Sequence, residues 1–256
     1  MIIYAVGIGP GYPECMTPQA ARVIEQCDIV VGYTTYMDLI SDSIKEKKIV
    51  TTGMKSELKR CRTAIDEAKA GKKVAVISSG DAGIYGMAGL LMELAENVTG
   101  IEIEVVPGIT AATAAASLLG APLANDFAVV SLSDLLTPWT TIEKRLEAAG
   151  IGDFVVCLYN PKSKSRRDYL NRACDILLKH KSPETWCGYV RNAHRGNRDC
   201  NICTLKDLPD VQIDMLTTVI IGNSDTKLIS GRLVTSRGYR ICENVHNPLP
   251  EENNQD

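Results

Sequence analysis

Short apolar runs alternate with longer stretches in which apolar residues recur every three or four positions. Residues 2–6, 28–33, 48–51, 73–78 and 101–106 read as strands, several of them apolar throughout as in a buried parallel sheet. Residues 19–26 carry Ala20, Val23 and Ile24 at helical spacing. A second helix is expected from Thr35 into 41–47, and 56–70 is amphipathic and stops at Gly71. Residues 85–97 and the alanine-rich 112–119, closing at Gly120, complete the helices of this half. Strands alternating with helices predict a parallel sheet with helical faces.

The texture changes after Gly120. Residues 121–126 read as a linker, and a second α/β series follows. Its predicted strands are 127–132, 154–159, 186–190 and 217–222, with helices near 141–149 and 168–179. No internal repeat is visible. The expectation is two α/β domains, 1–120 and 121–243, with a binding cleft between them and a polar, flexible tail at 244–256.

Three strand ends in the first half carry glycine loops, at 7–11, 80–83 and 107–111. Strand carboxyl ends share one edge of a parallel sheet, so these loops can converge. Thr17 and Pro18 fit an N-cap followed by a first helical residue. A dinucleotide fingerprint does not fit: Tyr12 stands where its third glycine belongs. Pro10 and Pro13 remove N–H groups that a pyrophosphate needs, and no Gly-Lys-Ser/Thr follows. The loop suits a ligand that is not a phosphate, or is simply a tight turn.

Asp81, between glycines at a strand end, can accept from ribose hydroxyls, pair with a cationic ligand, or cap the next helix. Thr110 adds a hydroxyl to the turn after Pro107. Leu158-Tyr159-Asn160-Pro161 ends a strand and leads into Lys162, Lys164, Arg166 and Arg167. Cations at a helix start oppose its dipole, so this is either a solvated surface or an anion site. Arg191 and Arg195 repeat the theme, and guanidinium forks suit carboxylates. Histidine changes charge near neutral pH, which makes His194 a candidate proton-transfer group.

At 256 residues and 45% hydrophobic, the chain can bury a real core. A formal charge of −3 argues against a nucleic-acid or membrane-surface binder. With no secretion-type leader and no long apolar run, the default compartment is the cytoplasm. The 9 cysteines then read as reduced thiols. Cys200 and Cys203 form one C-x-x-C, with Cys187 and His194 upstream as conceivable co-ligands. One such pair is weak support for a metal, and none is assigned.

Six ordered segments, 7–11, 79–83, 107–111, 131–139, 158–161 and 190–195, resemble the tetrapyrrole methylases. The resemblance spans about residues 2–240. The last three segments are similar to the branch that methylates C17 of corrinoid precursors in cobalamin biosynthesis, with ring contraction. It implies a homodimer of two-domain α/β subunits with S-adenosylmethionine between the domains and S-adenosylhomocysteine as product. Carried over, the cofactor would touch Pro10, Gly80, Asp81, Ile84, Thr110, Ala111, Leu158 and Tyr159, with Val190 and Gly222 as further contacts. The tetrapyrrole, at the level of precorrin-3B or its cobalt form, would meet Gly9, Asn160, Lys162, Arg166, Arg191 and Arg195. Asp134, Tyr159 and His194 are the candidates for proton movement. A sister methylase for another corrin position and a non-catalytic ligand-binding α/β protein are the alternatives.

Overall fold

The computed structural model describes residues 1–45, 47–163 and 168–239. The first half runs β1 (Ile2–Gly7), α1 (Pro18–Gln26), β2 (Ile29–Tyr33), α2 (Thr34–Asp38), β3 (Lys48–Thr52), α3 (Glu57–Lys69), β4 (Val74–Ser78), α4 (Ala88–Ala95) and β5 (Glu102–Val106). Its sheet is wholly parallel, in the order β3-β2-β4-β1-β5. Alternate strand residues point to opposite faces. Ile3, Ala5, Val31 and Val76 meet Cys61, Ala64 and Leu91 of α3 and α4. Val6, Val30 and Ile77 meet Ala20, Val23 and Ile24 of α1 on the other face. Both faces are therefore buried, which is why these strands read as apolar runs.

The second half continues with α5 (Ala111–Leu119), β6 (Gly120–Ala121), β7 (Phe127–Ser131), α6 (Trp139–Ile151), β8 (Val155–Tyr159), α7 (Tyr169–Leu177), β9 (Trp186–Arg191), β10 (Asp199–Thr204), β11 (Thr217–Ile221), β12 (Thr226–Ile229) and β13 (Arg232–Thr235). Its sheet, β10-β9-β11-β8-β7, is mixed. Only β7 and β8 run parallel; β11 lies antiparallel to both β8 and β9, and β10 antiparallel to β9. Val156, Leu158, Val219 and Ile221 pack under α6 and α7. Val155, Cys157, Val190 and Ile220 pack under Ala112, Ala115 and Leu119 of α5. Thus α5, which precedes the compositional break at Gly120, covers a face of the second sheet. Gly120, at φ 134, ends that helix and starts β6, which pairs with β13.

Local signals hold at most boundaries. Thr17 Oγ1 accepts from Ala20 N at 3.1 Å with Pro18 opening α1. Gly71, at φ 84, follows α3. The predicted second helix is instead a five-residue α2 and a separate 3₁₀ turn at Ser41–Ile44. α4 starts at Ala88 rather than at 85, because 82–87 form bends, held at Gly83 by Asp81 and at Met87 by Ser78 Oγ. The tail expected at 244–256 lies outside the described residues.

One buried charge, Lys181, sits where the residues before β8 meet the turn after β11. The Lys181 side chain is 1% exposed and donates to Asp153 Oδ1 (3.0 Å) and Phe154 O (2.9 Å). Burial alone would raise the Asp153 carboxyl, but hydrogen bonds from Ser224 and Lys181 outweigh it and hold it below the usual range. Asp153→Asn is expected to cost about 2 kcal/mol in urea unfolding, less than for a fully buried pair because Asp153 is half-exposed. A carboxyl held low stabilises above its unfolded value and stops doing so as pH falls through its folded value. The gap between wild type and variant should therefore be constant from about pH 5 to 7 and close below about pH 4.

Candidate functional site

β4, β1 and β5 are neighbours, so their carboxyl ends bring the three glycine loops together. Gly9 and Gly80, at φ 74 and 71, exchange backbone hydrogen bonds of 3.0 and 2.8 Å. A Cβ on Gly7 would lie 2.7 Å from Gly80 O and 2.8 Å from Gly108 N. One on Gly108 would overlap the carbonyl oxygens of Gly80 and Gly7. Asp81 joins the loops further: Oδ1 accepts from Gly83 N (2.8 Å) and Oδ2 from Gly108 N (2.9 Å). Asp81 is thus a clasp between two loops rather than the cap of a helix at 84.

The second half supplies the facing wall. Tyr159, at the end of β8, accepts from Ala112 N (2.7 Å) and shares a 2.6 Å hydrogen bond with Thr110 Oγ1. Burial pushes its phenol pKa up, so it stays protonated. Asn160 Nδ2 donates to Ser131 Oγ at 2.9 Å. Arg195 donates to Pro10 O through Nε and to Ser79 Oγ at 2.6 Å. Burial pulls the Arg195 pKa down, and Tyr36 nearby partly offsets this. Tyr12 N donates to His194 O at 2.9 Å, so the turn at 192–196 is stitched to the first loop.

Between the two walls lies an open cavity of about 200 Å³. Of the residues singled out from sequence, Pro10, Gly80, Asp81, Ile84, Thr110 and Ala111 line it from the first strand ends and the start of α5, and Tyr159, Asn160 and Arg195 from the facing wall. Others stand elsewhere. Leu158 and Val190 are wholly buried in the cores, each just before a wall segment. Gly9 lies behind Pro10, paired with Gly80. Gly222 donates to Trp186 O, at the opposite edge of the sheet, because β11 runs against β8 and β9. Lys162 is half-buried outside the lining. Arg191 is exposed and ion-paired with Asp214 at 2.7 Å. Asp134 accepts from Tyr169 Oη at 2.6 Å. The His194 ring reaches Ser117 Oγ at 3.1 Å and is not part of the lining. Arg166 falls outside the described residues.

Sequence reasoning missed Tyr36, Ser79, Tyr85, Asn192 and the 215–218 segment, all of which line the cavity. The antiparallel direction of β11 explains the last: its amino end, not its carboxyl end, meets the ends of β8 and β9. The cysteine group separates for a related reason. Cys200 and Cys203 sit three apart on strand β10, hence on opposite faces. Cys203 packs with the α6–α7 core opposite Cys187, while Cys200 reaches Leu118 O. Among the described residues no group of three or more His, Cys, Asp or Glu side chains is placed to hold a metal.

Two five-stranded sheets, a small three-stranded sheet β12-β13-β6 and a glycine-loop cleft make up this α/β chain, and comparison with known proteins places it. Residues 2–209 match the family described as tetrapyrrole (corrin/porphyrin) methylases, and the chain belongs to that family. It is 48% identical over 241 residues to a protein of Salmonella typhimurium named a probable cobalt-factor III C(17)-methyltransferase, covering 94% of this chain and 100% of the relative. It is 47% identical to the cobalt-factor III methyltransferase of Priestia megaterium over 93% of this chain, but spans only 45% of that longer protein. The crystal structure of the methyltransferase CobJ superposes with a TM-score of 0.86 at 35% identity, over 92% of this chain and 99% of the other. A uroporphyrin-III C-methyltransferase of Thermus thermophilus, complexed with S-adenosylhomocysteine, shares the fold alone, with a TM-score of 0.69 at 22% identity, over 87% of this chain and 97% of that one. No helix among the described residues is long and apolar enough to cross a membrane.

Gly108→Ala tests the loop junction. The added methyl meets backbone, which cannot rotate away, so the loops must part. The expected cost is about 1–3 kcal/mol in urea unfolding, whereas Gly89→Ala, with open space around it, should be neutral or stabilising.

Proposed function

We propose that the protein is an S-adenosylmethionine-dependent C-methyltransferase. On this reading it methylates C17 of precorrin-3B or its cobalt-bearing counterpart, with ring contraction to the precorrin-4 level. Family membership and relatives at 47–48% identity support the activity class. The observation that carries the cofactor assignment is the Asp81 clasp. The N–H groups of Gly9, Gly80, Gly83 and Gly108 are all spent on Gly80 O, Gly9 O and the Asp81 carboxylate. Pro10 and Pro107 have none to give. The loop edge therefore offers a carboxylate in place of the N–H cradle that a phosphate needs, and this suits a sulfonium. A carboxylate has about four acceptor sites, so two remain on Asp81 for ligand hydroxyls or charge.

When bound, S-adenosylmethionine supplies an electrophilic methyl group for in-line transfer to carbon. The residues then have three tasks. Asp81, Gly80, Ala111 and Thr110 hold the donor side. Arg195 faces the acceptor side: a guanidinium has about five N–H groups, and Pro10 and Ser79 take two, which leaves donors for substrate acetate or propionate. Tyr159, kept protonated by burial, holds a proton between Thr110 and the cavity for the ring-contraction step. Asp134 and His194 stand off the lining, so Tyr159 is the preferred one of the three. Alignment of the reacting carbons can supply roughly 7–11 kcal/mol of the barrier at best, so no nucleophilic residue is required. The reading includes a cytoplasmic location and a homodimer; light scattering of the purified protein tests the dimer.

Isothermal titration is expected to show one site per chain for S-adenosylmethionine and for S-adenosylhomocysteine. With labelled methyl donor and the candidate tetrapyrroles, with and without cobalt, product NMR should place the label on C17. Label at another carbon would move the protein to a sister activity; no binding of either cofactor form would leave a non-catalytic ligand-binding protein. Tyr159→Phe should lower turnover about 100-fold. It should also lose about 1–3 kcal/mol of stability, because the buried Ala112 N–H loses its acceptor.

A further inference from the structure

We propose that Tyr85 is a positioning residue that fixes the acceptor wall of the cleft against the cofactor loops. Its backbone lies in the left-handed region, at φ 53, where a bulky residue is strained. Its side chain is an exposed large aromatic, yet both hydrogen-bonding roles of its hydroxyl are filled. Tyr85 Oη donates to Val129 O (3.2 Å) and accepts from Ser131 N (3.1 Å).

Those two partners belong to β7, the edge strand of the second sheet. Residues 129 and 131 turn the same way, and the next residue, Leu132, donates inward to Tyr159 O at 2.9 Å. The phenol thus takes the place that a neighbouring strand's peptide would take on the open edge. The Tyr85 ring also lies 5.7 Å from that of Tyr159, tilted at 56°. Tyr159 reaches back across the gap to Thr110 and Ala112. Each wall therefore sends one tyrosine hydroxyl to the backbone of the other.

What the latch positions follows from its two ends. One end is rooted by Asp81, whose carboxylate holds the loop at Gly83. The other is Ser131, whose Oγ accepts from Asn160, a cavity residue. The strain at Tyr85 is offset by the two hydrogen bonds its hydroxyl makes to β7. For the catalytic consequence the proposal rests on the methyltransferase reading above. Losing the hydroxyl leaves the donor loops bound to one another through Asp81, but lets the Ser131–Asn160 side shift.

Tyr85→Phe tests this, since it keeps the ring and removes only the hydroxyl. S-adenosylhomocysteine affinity by calorimetry should stay within about 2-fold of wild type. Single-turnover methyl transfer, with both substrates saturating, should fall about 10-fold. Amide hydrogen exchange at Ser131 should quicken, a change that a mere cavity-wall role would not produce. A wild-type transfer rate, wild-type exchange at Ser131, or cofactor affinity falling in step with the rate would each overturn the proposal. If the unaltered protein transfers no methyl to any corrinoid, the functional reading falls, and exchange at Ser131 still decides the latch.

Discussion

Three backbone segments must touch at one point for this molecule to have a site. Gly7, Gly80 and Gly108 approach so closely that a single methyl at Gly7 or Gly108 collides with backbone. The sheet order makes the approach possible, because β1 lies between β4 and β5. Glycine makes it attainable, at the conformational cost glycine always carries in the unfolded chain. Asp81 then turns proximity into a fixed geometry with two charge-assisted hydrogen bonds. Everything on the far wall is positioned relative to this junction.

That far wall is built differently. A mixed sheet brings the carboxyl ends of β8 and β9 and the amino end of β11 to one edge. α5 serves both halves: it starts where the third glycine loop ends and buries its alanine face on the second sheet. Small residues let it lie close, as Gly188 against Leu119 illustrates. Four residues at or beside the cleft, Tyr85, Asn160, Asn192 and His194, hold left-handed backbone, which asparagine and histidine tolerate and the bulky Tyr85 does not. Such strain persists where surrounding contacts over-determine it, and here hydrogen bonds to β7, Ser131, Asn197 O and Tyr12 N do so.

The first half was largely legible because its central strands β1, β2 and β4 are buried on both faces and announce themselves as apolar runs. Thr17, Pro18, Gly71 and Gly120 acted locally and could be read as such. The second half was less so. β10 (Asp199–Thr204) buries none of its residues and mixes polar with apolar positions, so its strand character comes from pairing with β9 rather than from its own pattern. The β12–β13 hairpin hides in two four-residue strands, although Ser230 and Gly231, at φ 50 and 74, are a recognisable two-residue turn. Gly222 entered through the family resemblance alone, and because β11 runs against β8 and β9 its carboxyl end leads away from the cavity. Tyr36 and Met215 carry no local signal at all; only the tertiary path brings them to the cavity.

The position of Asp81 bears on how such a site could favour reaction rather than binding. A full carboxylate beside a sulfonium stabilises the charged donor, and that charge disperses as the methyl leaves. Unmoderated, the attraction would deepen the ground state more than the transition state and slow the chemistry. The backbone N–H groups of Gly83 and Gly108 draw off part of the carboxylate's charge and fix its direction. The same two bonds that hold the loops together thus temper the electrostatics of the ligand they would share. On the proposed reading, Asp81 contributes orientation and affinity, while rate comes from how firmly the opposite wall is held.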